Sequence, residues 1–253
     1  GVMYEGQPLD QYDCVYVKGS FKYVSVQRAI TSHLYGRCYL PYSMKAFSVV
    51  HDKLLTHLEL EQANIPMPTT YISSTATAAK ELLKKVNYPI IMKIPQGTQG
   101  KGVMFADSFP AATSILDTLE SLKQPFLIQE YVETGGADLR AFVVGDQVVA
   151  CMKRMSSGED KRSNLHAGGK AEQVIPDAKM KKIAVNTARA LGAEVCGVDI
   201  LEGVKSPLVI EANLSPGIQG ITEATGINVS QHIAKYFYQK TKEFVEKRES
   251  GEK

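Results

Sequence analysis

The sequence has no tryptophan and only four cysteines, Cys14, Cys38, Cys151 and Cys196. The missing tryptophan carries no functional message, but the cysteines exclude something. None forms a C-x-x-C pair and none has the close spacing of a zinc knuckle, so a structural zinc site and a dithiol redox centre are set aside. Cys14 and Cys196 lie in the apolar runs DCVYV and EVCGVDI, which reads as buried, reduced thiols of a cytoplasmic protein. Long hydrophobic runs are lacking too. FLIQEYV and AFVVG are strand-sized, far short of the roughly 20 residues of a membrane span, and no signal peptide is visible at the start. No membrane partner is expected. Nor is there an excess of charge of one sign: 29 Lys and Arg stand against 27 Asp and Glu, a net charge of +2. That excludes the strong basic excess of a general nucleic-acid binder, while a local basic cleft stays open.

What is present is ordinary globular composition, 44% hydrophobic and 22% charged over 253 residues, enough for one large or two small cores. The first firm strand is expected at Asp13 to Val17, followed by a helix over 21–36 that Leu40-Pro41 ends. This resembles half of a small α/β unit, so residues 1–42 are expected to be a partial N-terminal domain. From Ser43 the pattern is denser. A helix at 51–63 carries a stripe of Leu54, Leu55, Leu58 and Leu60, and Asn64, Pro66 and Pro68 end it. A helix at 75–86, the strand Tyr88 to Ile94, a glycine-rich turn, the strand GVMFA and a helix at 109–122 follow. Then come the strands PFLIQEYV, DLRAFVVG and QVVACMKRM, a long polar loop from Ser156 to Lys170, and a helix at 177–191. EVCGVDIL, the turn EGVKS and PLVIEAN read as a hairpin. The last helix starts near Val229 and is expected to fray into EKRESGEK. Strands and helices mix without regular βαβ alternation, and hairpins crowd the second half. That argues for α+β with antiparallel sheets.

Four constellations carry chemistry. The turn Gln96 to Gly102 (QGTQGKG) lies between two strands, with Lys93 just before it. Glycines let backbone N–H groups approach an anion and let the loop move, although a plain flexible hairpin has the same look. It fits neither the Walker loop nor G-x-G-x-x-G. The second is acidic. Glu211 and Asn213, two residues apart on a strand, share a face. Asp199 falls across from Glu211 if the hairpin turns near Val204 to Ser206. Three oxygen donors on one spot suit magnesium or manganese; a solvated polar sheet face is the bland alternative. The third is Arg162-Ser163-Asn164 in a loop with Gly168 and Gly169, with Arg154 shortly before. Arginine forks suit phosphate or carboxylate, and a surface loop is the alternative. His166 reads as a loop hydrogen-bonder, since nothing pairs it with a nucleophile. The fourth is Gln129 to Val132 with Asp138 beyond, where a strand end could meet a purine edge and an acid could hold ribose. By composition this signal is weak.

In order, Lys53 in HDK, Lys93 in IIMK, GTQGKG, QEYV, D-L-R, RSNLHAGG, GVDIL and EANLSPG resemble the ATP-grasp superfamily, and within it the RimK-like α-L-glutamate ligases. The resemblance runs from about Pro41 to Tyr238, and RSNLHAGG and E-x-N-x-S-P-G are its specific parts. It implies an ATP-grasp fold over 43–253, with two α+β lobes (about 43–127 and 128–253) sandwiching ATP. It implies that Lys53 and Lys93 hold ATP phosphates and that the loop of Gly97, Thr98, Gln99, Gly100 and Gly102 closes over them. Glu130, Tyr131 and Val132 would meet the adenine edge and Asp138 the ribose. Arg162, Ser163 and Asn164 would meet the nucleotide, Arg154 with Arg162 the transferred phosphoryl group. Asp199, Glu211 and Asn213 would hold Mg2+ or Mn2+, expected as two ions. The implied reaction joins L-glutamate, or a similar amino acid, to an acidic acceptor peptide, protein tail or small molecule through an acyl phosphate. A ligase acting on a small coenzyme or an amino-acid carrier protein, and a non-catalytic ATP-binding module, are the alternatives. A homo-oligomer is expected, with no direct nucleic-acid partner. Arg154, Lys161, Arg162 and Lys170 suggest a basic cleft facing the acyl phosphate.

Overall fold

The alternation in IIMK places Ile90 and Met92 on one sheet face and Ile91 and Lys93 on the other, and the protein buries the first pair while leaving the second half-open. The computed structural model describes residues 1–19, 21–73, 75–95, 97, 102–156, 170–203 and 206–251. A small ribbon, β1 (Met3–Tyr4) and β2 (Gln7–Pro8), precedes α1 (Val24–Leu34), α2 (Met44–Val49) and α3 (Lys53–Gln62). Next come β3 (Thr70–Ser73), α4 (Ala76–Leu83), β4 (Ile90–Lys93), β5 (Val103–Ala106), α5 (Phe109–Ser121) and β6 (Phe126–Glu130). The chain continues through β7 (Ala137–Val144), β8 (Gln147–Met155), β9 (Lys170–Gln173), α6 (Ala178–Ala190), β10 (Val195–Glu202) and β11 (Pro207–Asn213). It closes with α7 (Gln219–Thr225) and α8 (Val229–Ser250).

The strands form a four-stranded sheet in the order β3-β6-β4-β5 and a five-stranded sheet in the order β11-β10-β7-β8-β9. All pairings within both are antiparallel, as the hairpin-rich pattern implied. Each sheet has its own core. Met92, Leu83, Leu116, Phe126 and Ile128 pack one side of the smaller sheet. Phe47, Leu139, Phe142, Leu191 and Val198 anchor the larger cluster, which also takes in Val17 and Tyr42 from the N-terminal segment. Helix starts follow the sequence: Asp177 Oδ1 accepts from Met180 N–H at 2.7 Å and Asn228 Oδ1 from Gln231 N–H at 3.2 Å, each an N-cap that satisfies an otherwise orphan donor.

Several expectations need correction. Asp13 to Val17 is no strand; it makes one parallel bridge, Cys14 to Tyr39. The stripe on α3 is only partly core: Leu60 is 2% exposed, but Leu55 and Leu58 are 43% and 42% exposed. The end of α8 does not fray at its charges, which pair along the helix as Lys240–Glu243 and Lys242–Glu246. β6 belongs to the four-stranded sheet, so a lobe boundary at 127/128 would cut a strand. The elements β3, α2 and α7 and the start of β9 went unread because each is short, and short runs carry little periodicity. Cys38, Cys151 and Cys196 are buried and Cys14 is half-buried. Among the described residues no helix is long and apolar enough to cross a membrane.

Candidate active site

Lys53 opens α3, and its place is set by the residue before it. Asp52 Oδ1 accepts from the N–H groups of Leu54 and Leu55 at 2.8 and 3.2 Å, which caps the helix and fixes its entry. The Lys53 backbone N–H donates to Pro95 O at 3.1 Å, and its ammonium donates to Gly97 O at 2.9 Å. The helix start is thereby tied to the turn between β4 and β5. Gly97 has φ 147° and Gly102 φ 76°, conformations that side chains disfavour, which is why glycine stands at both ends of this turn. Thr98, Gln99 and Gly100 lie outside the described residues.

Lys93 projects from the half-open face of β4. Its ammonium donates to Gln129 Oε1 at 2.7 Å, and Gln129 Nε2 donates to Thr70 Oγ1 at 2.7 Å. Burial brings the Lys93 pKa down to about 8; Glu211 opposes that shift and Lys53 adds to it. Lys53 is lowered as well, mainly by burial, with Glu211 and Asp52 opposing. The two lysines and Glu211 therefore share one electrostatic neighbourhood, though they come from a helix and two different sheets.

The acidic hairpin forms as expected. Asp199 on β10 pairs directly across from Glu211 on β11, and Gly197 across from Asn213. Directly opposed residues have Cβ atoms about 4.5–5.5 Å apart. Solvent reaches Glu211, yet protein encloses it closely enough that burial, reinforced by Asp199, raises its pKa against the pull of Lys53, Lys93 and Arg140. That combination describes a carboxylate that stays accessible while set among the charged groups of a neighbouring helix and sheet. Asp199 is held differently. Arg140 Nε and Nη2 donate to its two oxygens at 2.7 Å each, and Arg154 Nη2 lies 2.9 Å from Oδ2. Burial alone would raise Asp199, but the two guanidinium groups overcome it and hold the carboxyl at about 2.

Arg154 is 6% exposed and Asp138 5%, and they are joined by a two-pronged pair at 2.6 and 2.7 Å. Asp138 is turned into the β7–β8 ladder toward Arg154, and Arg154 directs its fork at Asp138 and Asp199. Lys161, Arg162, Ser163, Asn164 and His166 lie outside the described residues. Glu130 sits at the end of β6, where its Oε1 accepts from Thr69 N–H at 2.9 Å. Tyr131 packs edge-on against Phe105 at 5.3 Å, and Val132 beside it is half-buried.

Two working residues were absent from the expected set. Arg140 is the main partner of Asp199, and Gln129 orients Lys93. The signal for Arg140 was present, since it lies two residues from Asp138 on a strand and so shares its face. Gln129 was singled out only as part of the strand end Gln129 to Val132; that it pairs with Lys93 depends on a neighbouring strand and left no local signal.

The hairpin donors fit a hard cation. A carboxylate offers about four lone-pair sites. The three bonds from Arg140 and Arg154 leave Asp199 one on Oδ1, Glu211 is exposed, and Asn213 contributes an amide oxygen that now accepts from Ser215 N–H at 2.9 Å.

The RimK-like ATP-grasp domain model matches residues 50–237. A probable alpha-L-glutamate ligase of Shewanella loihica is 38% identical over 245 residues, covering 95% of this chain and 81% of its own. One from Legionella pneumophila (strain Corby) is 36% identical over 241 residues, covering 94% and 80%. Among solved structures, the ATP-grasp ligase PsnB complexed with a phosphomimetic variant of minimal precursor, Mg and ADP superposes with a TM-score of 0.69 at 18% identity, over 87% of this chain and 68% of that one. Lysines on a helix and a strand, a glycine-ended turn between them and a facing acidic hairpin thus coincide with the family's extent along the chain, and this protein belongs to the RimK-like ATP-grasp family of ATP-dependent, ADP-forming ligases.

Proposed function

We propose that the enzyme attaches L-glutamate, through its α-amine, to a carboxylate at a protein C-terminus or on a poly-glutamyl acceptor. The observation that carries this reading is the position of Glu211, exposed, opposite Asp199 and within the field of Lys53 and Lys93. The names of the relatives, probable alpha-L-glutamate ligases, favour glutamate.

The chemistry requires activation, because a carboxylate is a poor electrophile. An acceptor carboxylate oxygen forms a bond to the γ-phosphorus as the bond to the β-phosphate oxygen breaks, giving an acyl phosphate and ADP. The amine of glutamate then bonds to the acyl carbon, loses a proton, and phosphate departs. Lys53 and Lys93 bind and orient the phosphates, and Lys93 is kept in place by Gln129. We assign Asp199, Glu211 and Asn213 to Mg2+ or Mn2+, as two ions, whose contribution when bound with ATP is to neutralise charge gathering on the transferring phosphoryl group. Arg140 and Arg154 position Asp199. The turn from Gly97 to Gly102 excludes water, which would otherwise hydrolyse the acyl phosphate. Glu130 to Val132 are assigned to the adenine edge. We divide the chain into a partial N-terminal domain, 1–42, and an ATP-grasp domain, 43–253, with the inter-lobe boundary after Glu130.

The test is mass spectrometry of products after incubation with ATP, magnesium, glutamate and candidate acceptors: a glutamate-ending peptide, a poly-glutamyl peptide and small carboxylic acids. Glutamyl additions to the peptides, with matching ADP, are expected. Additions confined to small acids, or incorporation of a different amino acid, would overturn the assignment.

A further inference from the structure

Asn213 is the last residue of β11, at the open end of the β10–β11 hairpin, and its ladder with β10 stops there, opposite Gly197. The chain that follows must therefore orient its amide. Ser215 N–H donates to Asn213 Oδ1 at 2.9 Å, a turn closed across two residues that leaves this oxygen a second lone pair. The N–H of Ser215 and the C=O of Leu214 belong to one planar peptide unit and point in opposite directions. Whatever fixes the carbonyl also fixes the direction of the N–H. The Tyr42 hydroxyl does so by donating to Leu214 O, and the two residues are 3% and 0% exposed. Tyr42 is itself held at both ends. Its ring meets Phe47 edge-on at 5.3 Å and lies 5.6 Å from the ring of Tyr16. Its backbone bridges Ala193, with Ser43 N–H donating to Gly192 O and Glu194 N–H to Pro41 O, each at 2.9 Å. Tyr42 thus spans from the entry of β10 to the exit of β11. Two further contacts hold the same turn. Gly19 N–H donates to Ser215 Oγ at 3.3 Å, and Pro216 lies against Gly197, where an added Cβ would come within 2.8 Å of the Pro216 Cβ.

We propose that Tyr42 is a positioning residue for the cation site: its hydroxyl sets the plane of the Leu214–Ser215 peptide, and that plane holds the Asn213 amide oxygen ready for the metal ion. Tyr42 acts through the peptide, since it is buried and its hydroxyl proton goes to Leu214 O. Without the hydroxyl the buried carbonyl loses its donor, the peptide can turn, and Ser215 N–H no longer fixes the Asn213 side chain. The inference rests on the assignment of Asn213 to the cation above. It adds a residue of the N-terminal segment, far from the hairpin in sequence, on which the ligand set depends.

The test is Tyr42→Phe in the full chain, which keeps the ring and removes only the hydroxyl. Binding of Mn2+ with a non-hydrolysable ATP analogue, read by electron paramagnetic resonance, should weaken about three- to tenfold, the scale of one neutral hydrogen bond. The Mg2+ concentration giving half-maximal ADP formation should rise by a similar factor, with kcat restored at saturating Mg2+. Tyr39→Phe is the control: it removes another buried tyrosine hydroxyl, one that donates to Glu194, and should leave Mn2+ affinity unchanged. Asn213→Ala should also weaken Mn2+ binding, and in that background Tyr42→Phe should add nothing, because two residues acting through one contact are not additive. Unchanged Mn2+ affinity in Tyr42→Phe, with or without a lower melting temperature, would overturn the proposal. So would a full additional loss in the Asn213→Ala background, which would mark a general loosening of the fold. If Asn213→Ala binds Mn2+ as wild type does, the assignment of Asn213 fails instead, and that variant tells the two failures apart.

Discussion

Replacing Lys93 by Met should make the unliganded protein more stable while weakening its hold on ATP. Burial lowers the Lys93 pKa from the usual 10.5 to about 8, against the opposing pull of Glu211. Because the folded value lies below the unfolded one, the unfolded chain binds more protons between about pH 8 and 10.5, and stability rises with pH across that window. Below it the ammonium is charged in both states and the full cost is present, on the order of 3 kcal/mol at about 1.4 kcal/mol per pH unit. Methionine removes the cost but leaves Gln129 Oε1 without its 2.7 Å donor, an offset of about 1 kcal/mol. The expected net effect is a stabilisation of about 1–2 kcal/mol at pH 7, shrinking toward zero or reversing near pH 10. ATP binding should weaken by about 1–3 kcal/mol, the scale of a lost charge-assisted bond. Urea unfolding at both pH values and calorimetric titration with ATP measure these effects. A variant destabilised by the same amount at both pH values, or one that binds ATP as tightly as wild type, would refute the reasoning.

Glu211→Ala should abolish ADP formation at ordinary magnesium while leaving the far-ultraviolet circular dichroism spectrum unchanged, because this side chain is exposed and outside the core; near wild-type turnover would remove it from the site. Asp199→Asn should destabilise the fold by about 3–5 kcal/mol, since it leaves Arg140 and Arg154 buried without their shared carboxylate. With Asp199 held at about 2, its contribution is present above the unfolded carboxylate range and lost only as pH falls from about 4 toward 2. The stability gap between wild type and Asp199→Asn should therefore stay flat from about pH 5 to 8 in chemical denaturation, apart from other groups that titrate there. Glutamate should exceed glutamine in kcat/KM as the added amino acid, with an advantage that shrinks as salt rises; equal values without salt dependence would count against an acidic amino-acid substrate.

The sequence by itself determined the elements with strong period and clear punctuation. EVCGVDIL and PLVIEAN alternate and are joined by a turn, so Asp199 opposite Glu211 followed from strand geometry, and the register observed is the one expected. The helix expected at 177–191 was found as α6, Ala178–Ala190. These are local properties, decided by covalent geometry and hydrogen bonds to near neighbours. Tertiary structure alone decided the charge state and partners of the site. Nothing local to Asp138 or Arg154 says that they face each other across a ladder, that Arg140 joins them on Asp199, or that Gln129 reaches over from β6 to Lys93. Pairings between residues distant in sequence depend on which strands become neighbours, and burial then multiplies their strength, because a charge removed from water must find a partner.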